Sequence, residues 1–144
     1  MAEYCSYDDV RKRLTNAGIA YVADRDQDGL VDTTEQAEHV TTSIQFAGRQ
    51  IDYAICDQAE TATARASGNG FLKDLCIDLA AERCCGVGGG EVPGAMQAAA
   101  DYARVVLGEM KRGRRIPDFT YPSQPAGTPR LNIAKTQPGI INFR

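Results

Sequence analysis

The sequence lacks tryptophan and long apolar segments, and these absences limit the classes of protein to which the chain can belong. No apolar run approaches the roughly 20 residues that a membrane-spanning helix needs. The first ten residues, MAEYCSYDDV, lack the basic and then apolar layout of a secretory signal. The five cysteines form no CxxC pair and leave an odd one over, which favours reduced thiols in the cytosol. We therefore expect a cytosolic protein with no membrane partner.

Recognisable catalytic patterns are also missing. The single histidine, His39, has no cysteine or carboxylate at ligand spacing, and we interpret it as a surface or subunit-contact residue. Asp74 and Asp78 lie one helical turn apart, which is more typical of a solvated helix face than of a catalytic pair. The glycines of GVGGGEVPG follow a predicted helix rather than a strand, which excludes a dinucleotide-binding fingerprint. We expect a protein that is not an enzyme and requires no cofactor.

Proline is rare before residue 114, where only Pro93 occurs, and the apolar residues there recur at helical spacing. Ser6 and Asp9 predict a capped helix start, and a second helix is expected from Thr33 to about Ala66, bent at Gly48. Further helices are expected over 71–85 and from Pro93 or Gly94 to Gly113. The pattern predicts an all-α fold for residues 1–113, a small antiparallel bundle of about four helices, one of them long. The apolar stripe of the long helix comprises Ala37, Val40, Ile44, Ala47, Ile51, Ala54 and Ile55.

Residues 24–35, DRDQDGLVDTTE, carry oxygen-bearing residues at the spacing of a calcium-binding helix–loop–helix. Four aspartates within nine residues repel one another unless a cation or water screens them. A structural Ca²⁺ is one interpretation, and a solvated acidic turn is the other. No second stretch of this kind occurs, so a sensor built from paired loops is not expected. The ligands would be Asp24, Asp26, Asp28, the Leu30 carbonyl, Asp32 and Glu35, with Gly29 at the turn.

Charge divides the chain into an acidic body and a basic end. Residues 1–110 carry 9 basic and 18 acidic side chains, whereas residues 111–144 carry 7 basic and one acidic. Five of the six prolines lie in residues 114–144, which also hold many apolar side chains. We predict an extended C-terminal arm, residues 114–144, that lies along a partner chain; a tail folded back on its own bundle is the alternative. The arm's partner-binding residues would be Arg114, Arg115, Ile116, Phe119, Tyr121, Leu131, Ile133, Ile141 and Phe143.

The order of these features resembles a known family. YCSYDDVRKRL precedes the acidic DRDQDGLVD, which is followed by IDYAI, FLKDLCIDLAAERC and a closing DYARVVLGEMKRG. This order is similar to that of the head–tail connector proteins (adaptor or neck proteins) of tailed bacteriophages and prophages, particularly the Mu-like type. The resemblance covers roughly residues 4–113.

The resemblance implies a structural virion protein that forms a ring, typically of twelve copies, below the portal. Such a ring extends the DNA channel and docks the tail or neck. The expected partners are further copies of the chain, the portal protein, and a downstream neck, stopper or tail-terminator protein. DNA would pass without sequence-specific binding, since an acidic body repels phosphates. The expected location is the virion neck, after assembly in the host cytoplasm.

Two other interpretations of the sequence stay open. The acidic stretch favours a single calcium-binding helical module whose helices bind a peptide. KRGRR, residues 111–115, favours a cytosolic DNA-associated protein, although no stripe of aromatic and basic residues supports it.

Overall fold

The computed structural model describes residues 2–16, 33–87 and 91–121 of the chain. The regular elements of these ranges are all helical, with no strand among them, as the sequence predicts. The helices are α1 (Tyr7–Asn16), α2 (Thr33–Ile55), α3 (Thr61–Ala66), α4 (Gly70–Val87) and α5 (Gly94–Lys111). The molecule is therefore an all-α bundle, with the short α3 in addition to the helices that the pattern predicts.

The capping box predicted at the start of α1 is present. The Ser6 backbone N–H donates to Asp9 Oδ2 at 2.9 Å, and the Asp9 backbone N–H donates to Ser6 Oγ at 3.2 Å. The two residues thus satisfy amide groups that the first turn of a helix leaves without partners. Val10 and Leu14 then face the core, as their spacing predicts.

The three long helices pack against one another, and α1 packs against α2 and α4. His39 near the start of α2 contacts Cys84 near the end of α4, whereas Cys76 lies beside Ile44, so α2 and α4 run antiparallel. Cys85 at the end of α4 contacts Met96 at the start of α5. Since α5 is also antiparallel to α4, α2 and α5 run in the same direction and form one side of the bundle.

The long helix is shorter than predicted. α2 ends at Ile55, whose carbonyl accepts hydrogen bonds from the backbone amides of Gln58 and Ala59, and α3 begins as a separate helix after Glu60. Residues 56–60 contain neither glycine nor proline, so the local sequence gives no stop signal. Contacts across the turn explain the break, because Arg65 on α3 folds back onto Asp52 of α2.

Gly48, where the sequence predicts a bend, lies within the continuous helix α2. A Cβ atom at this position would lie 3.3 Å from the Arg65 guanidinium and 3.6 Å from a Glu3 carboxylate oxygen. The glycine therefore allows these charged groups to approach the helix backbone closely.

The core lies between α2, α4 and α5, where apolar side chains of all three helices are fully buried. Its largest fully buried side chains are Ile51, Ile55, Leu72, Leu79 and Met110. Six of the seven residues of the predicted α2 stripe belong to this core, Val40, Ile44, Ala47, Ile51, Ala54 and Ile55. Within the described ranges, no helix is both long enough and apolar enough to cross a membrane.

Candidate functional site

The predicted calcium loop lies almost wholly outside the described residues. Asp24, Asp26, Asp28, Leu30 and Asp32 fall in the range 17–32, which the structure does not describe. Glu35 lies in the first turn of α2. In the described part of the chain, no three histidine, cysteine, aspartate or glutamate side chains come together to hold a metal ion. The calcium loop therefore stays a prediction.

The C-terminal arm is described only as far as Tyr121, and this part packs on its own bundle. Ile116 is 3% exposed, so its side chain belongs to the core, contrary to its prediction as a partner-binding residue. Phe119 and Tyr121 are partly buried and form an edge-on ring pair with centroids 4.9 Å apart. Asp118, in the left-handed backbone region at φ 55°, lies within this folded-back segment. Leu131, Ile133, Ile141 and Phe143 lie outside the described residues.

Gln58 explains why this segment folds back. Its amide nitrogen donates to the carbonyls of Met110 at 3.2 Å and Arg114 at 2.8 Å, while its amide oxygen accepts from the Tyr121 hydroxyl at 2.6 Å. The Tyr121 oxygen in turn accepts the Ile116 backbone N–H at 2.8 Å. One side chain in the α2–α3 turn thus binds both the end of α5 and the residues that follow it.

Arg114 and Arg115 remain at the surface of this segment. Arg114 forms an ion pair with Glu109, and the Arg115 guanidinium lies 3.7 Å from the centroid of the Tyr121 ring. Of the predicted arm residues in the described range, these two offer the most exposed side chains to a partner.

An open groove of about 530 Å³ lies between α2 and α5. Each helix contributes five positions at intervals of three and four residues, which places them on one helical face. Tyr53, the most exposed large apolar side chain of the described residues, is 67% exposed and stands in this groove. The lining residues are Phe46, Arg49, Gln50, Tyr53 and Ala54 from α2, and Arg104, Leu107, Gly108, Lys111 and Arg112 from α5 and its end.

The groove is positively charged along its edges, with four cationic side chains and no carboxylate among its lining residues. Arg104 pairs with Glu82 and Asp101. Arg49 and Arg112, both exposed, have no ion-pair partner among the described residues. Two guanidinium groups are therefore free to bind an anionic group beside an apolar floor.

Lys111 closes one end of the groove. Its ammonium donates to Asp57 Oδ2 at 2.9 Å and lies 4.4 Å from the centroid of the Tyr53 ring. The hydrogen bond lowers the pKa of Asp57 and raises the pKa of Lys111, because it favours the charged form of both groups. At the other end, the Arg83 guanidinium lies 4.0 Å from the centroid of the Phe46 ring. Cation–ring contacts thus hold both aromatic side chains of the groove in place.

His39 is not the surface residue that the sequence predicts. It is 3% exposed, and its Nε2 lies 3.1 Å from the Cys84 carbonyl oxygen. That carbonyl belongs to the last turn of α4, where helix carbonyls have no partner within the helix. His39 therefore caps a neighbouring helix, a role that depends on the packing of α2 against α4.

Asp74 and Asp78 differ in their surroundings. Asp74 is exposed, as a solvated helix face predicts. Asp78 forms an ion pair with Arg13 at 2.5 Å and joins α4 to α1. The two carboxylates therefore have separate structural surroundings.

The groove is the feature that the sequence interpretation missed. Its signal was present as arginine and lysine side chains at helical spacing late in α2 and α5, within a body that is otherwise acidic. Only the packing of α2 beside α5 shows that these positions face each other.

Comparisons with protein-family models, with curated proteins and with solved structures found no match to this chain.

Proposed function

We propose that the chain is a structural protein of the neck of a tailed bacteriophage, a head–tail connector that assembles into a ring below the portal. The ring would extend the DNA channel and dock the tail or a downstream neck protein. Its partners would be further copies of the chain, the portal protein, and a stopper or tail-terminator protein. This proposal follows the order of sequence features that resembles the connector family.

The described helices support the proposal at the level of architecture. Four of the five segments that carry the resemblance fall on α1, the second half of α2, α4 and α5, whereas DRDQDGLVD lies outside the described residues. A small helical bundle is the fold that the resemblance implies, and the chain has that fold.

The observation that carries the proposal is the α2–α5 groove. It combines an exposed tyrosine with arginine side chains around an apolar floor. Tyrosine and arginine are enriched at the centres of protein–protein interfaces, where they contribute much of the binding energy. A helical bundle with such a surface is suited to binding another protein chain.

Charge supports the channel role. Residues 1–110 carry a net charge of −9, from 9 basic and 18 acidic side chains. A ring of such bodies repels DNA phosphates and would let DNA slide through without adhering. The basic groove would then face neighbouring subunits rather than the channel.

The direct test is electron microscopy of the purified chain, alone and with the portal protein of the phage that encodes it. We expect a symmetric ring, seated on the portal when both are present. The Tyr53→Ala variant should form fewer rings, because it removes the exposed aromatic side chain of the groove.

Tyr102→Ala is the matched control, since Tyr102 is 54% exposed but does not line the groove. This variant should form rings as the parent chain does. A chain that stays monomeric and does not bind the portal protein would contradict the connector function. Rings that tolerate Tyr53→Ala but not Tyr102→Ala would assign assembly to another face.

The acidic stretch favours a second candidate function, that of a calcium-binding module. α2 begins at Thr33, which puts Glu35 in the first helical turn, where the last ligand of a calcium-binding loop belongs. Isothermal titration of the full chain with Ca²⁺ tests this function. Saturable binding of one ion that Glu35→Gln abolishes would support it, and no heat of binding would exclude it.

A further inference from the structure

We infer that the α2–α5 groove binds the acidic stretch, residues 24–32, of a second copy of this chain. This inference rests on the proposed function, because it names the contact through which neighbouring subunits would associate. Four observations carry it: the chemistry of the groove, the chemistry of the stretch, the distance between them, and the direction of the resulting contact.

The groove selects an occupant that is both acidic and apolar. Arg49 and Arg112 lack carboxylate partners among the described residues, and Leu107 and Ala54 form part of an apolar floor between them. A carboxylate that pairs with an arginine forms a charge-assisted hydrogen bond, which is stronger than a neutral one. The groove therefore fits carboxylates that flank one or two apolar side chains.

Residues 24–32, DRDQDGLVD, supply this combination. They contain four aspartates and one arginine, a net charge of −3, together with Leu30 and Val31. Many carboxylates of the described bundle already have cationic partners within the chain, such as Asp9 with Lys73 and Asp52 with Arg65. Residues 122–144 carry three basic and no acidic side chains, so the groove repels them.

The stretch as a whole does not reach the groove of its own chain. Its apolar residues, Leu30 and Val31, are at most three residues from Thr33, a span of at most about 10 Å even when the chain is fully extended. Phe46, at the nearer end of the groove, lies 13 residues along α2 from Thr33, about 20 Å away at 1.5 Å per residue. Because α1 runs antiparallel to α2, with Tyr4 beside Asp52, the other end of the connection also lies near the start of α2. The occupant must therefore come from a second copy.

The contact joins two different surfaces of identical chains. The acidic stretch directly precedes α2 in the sequence, and the groove lies beside the second half of α2. Such a head-to-tail contact repeats from subunit to subunit and closes into a ring when the rotation between subunits permits. This is the kind of contact that a connector ring requires.

The first test measures binding of a fluorescein-labelled peptide of residues 22–36 to the full chain by fluorescence anisotropy, with EDTA present to remove Ca²⁺. We expect saturable binding that weakens at least tenfold in the Arg49→Glu/Arg112→Glu variant. Binding should also weaken at least tenfold between about 50 and 300 mM salt, since it depends on charge.

Two controls distinguish the loss of peptide binding from unfolding of the variant and from an effect of its net charge alone. Lys12→Glu/Arg11→Glu makes the same change of charge at exposed positions of α1, outside the groove, and should bind the peptide within about twofold of the parent chain. A peptide with its aspartates replaced by asparagine should not bind. Circular dichroism checks that each variant retains its helices. Absence of peptide binding, or equal binding by the groove variant, would overturn the inference.

A charge exchange in the full chain tests the contact between subunits. Arg49→Glu/Arg112→Glu and Asp26→Lys/Asp28→Lys should each lose self-association, and a chain carrying all four changes should regain it. Rings that persist in both double variants would overturn the inference but leave the connector function standing. Absence of rings and of portal binding in the parent chain would instead contradict the connector function, whatever the peptide result.

Discussion

At the scale of single residues, Arg65 joins three segments of the chain. Its guanidinium pairs with Asp52 of α2 and with Glu3 at 3.3 Å, donates to the Ala2 carbonyl at 3.2 Å, and lies 5.2 Å from the centroid of the Tyr4 ring. The Tyr4 hydroxyl donates to Asp52 as well, and burial together with this hydrogen bond raises the pKa of Tyr4. The network fastens the N-terminal residues and α3 to the end of α2.

Arg65→Met removes the cation of this network and keeps most of the apolar stem. Because the side chain of Arg65 is only 9% exposed, Asp52 and Glu3 would face each other in a poorly solvated place without a counter-charge. We expect the free energy of unfolding, measured by urea denaturation, to fall by about 2–3 kcal/mol. Arg11→Met breaks an exposed ion pair with Asp8 and should cost less than about 0.5 kcal/mol. Equal effects of the two variants would contradict the role of Arg65.

Asp9 makes the stability of the bundle depend on pH. The hydrogen bonds from the Ser6 amide and hydroxyl and from Lys73 lower the pKa of Asp9, so the folded state binds its proton less tightly than the unfolded state does. This contribution to stability is complete above the unfolded pKa, near 3.9, and is lost as the pH falls through the lower folded pKa. It should therefore be present at pH 7 and absent at strongly acidic pH.

Urea denaturation of Asp9→Ala between pH 7 and pH 2.5 checks this dependence. The variant should be less stable than the parent chain by about 1 kcal/mol at pH 7, since it loses the capping box. The difference should shrink below about pH 4, where the unfolded carboxyl of the parent begins to protonate. Asp8→Ala, which alters an exposed neighbour, should differ little from the parent at either pH. A constant difference over the whole range would show that the charge of Asp9 contributes nothing.

At the scale of elements, residues 114–121 belong to the bundle. Ile116 is buried, Asn69 donates to the Pro117 carbonyl at 2.9 Å, and Gln58 binds both the Arg114 carbonyl and the Tyr121 hydroxyl. The boundary between bundle and arm that the sequence suggests, after residue 113, divides this set of contacts. An arm that binds a partner would begin no earlier than residue 122.

Two truncated chains test this boundary. A chain that ends at residue 113 should be less stable to urea than one that ends at residue 121 by about 2–4 kcal/mol, because it loses the buried Ile116 and part of the burial of Phe119 and Tyr121. Tyr121→Phe in the full chain should lose about 1 kcal/mol, through the two hydrogen bonds of its hydroxyl. Equal stability of the two truncated chains would place the boundary at residue 113 after all.

The sequence predicts those parts of the fold that local signals determine. Ser6 with Asp9 caps the start of α1, and α2 and α5 begin at Thr33 and Gly94 as predicted, because helix-start signals act within a few residues. The end of α2 at Ile55 and the burial of His39 could not be predicted in this way, since both depend on contacts between segments far apart in the chain. The groove is a stronger case, because its two halves are at least 50 residues apart and no local pattern relates them.

At the scale of the whole molecule, ion pairs join the helices that surround the single core. The acidic body binds its own cations through ion pairs that join helices, such as Arg13 with Asp78 and Arg104 with Glu82. The groove keeps unpaired cations on one side of the bundle. A partner that approaches with negative charge is therefore directed to that side.

The five thiols report whether the described bundle unfolds as one unit. All are free, and four of them, Cys5, Cys76, Cys84 and Cys85, are buried while Cys56 is exposed. Burial raises the pKa of Cys84 to about 11, and a hydrogen bond with Cys5 together with burial raises the pKa of Cys76, so the thiols of Cys84 and Cys76 also resist deprotonation.

We therefore expect a thiol reagent at pH 8 to add one label per native chain and five per chain in strong urea, as counted by mass spectrometry. The Cys56→Ser variant should add none in the native state, which assigns the fast label. Because the buried thiols lie in one continuous core, all four should become reactive together at the urea concentration where circular dichroism reports unfolding. If Cys5 reacts well before Cys76 does, the N-terminal segment opens on its own. The bundle would then consist of parts with separate stabilities, and the contacts of Arg65 would not hold that segment to α2 as firmly as their geometry indicates.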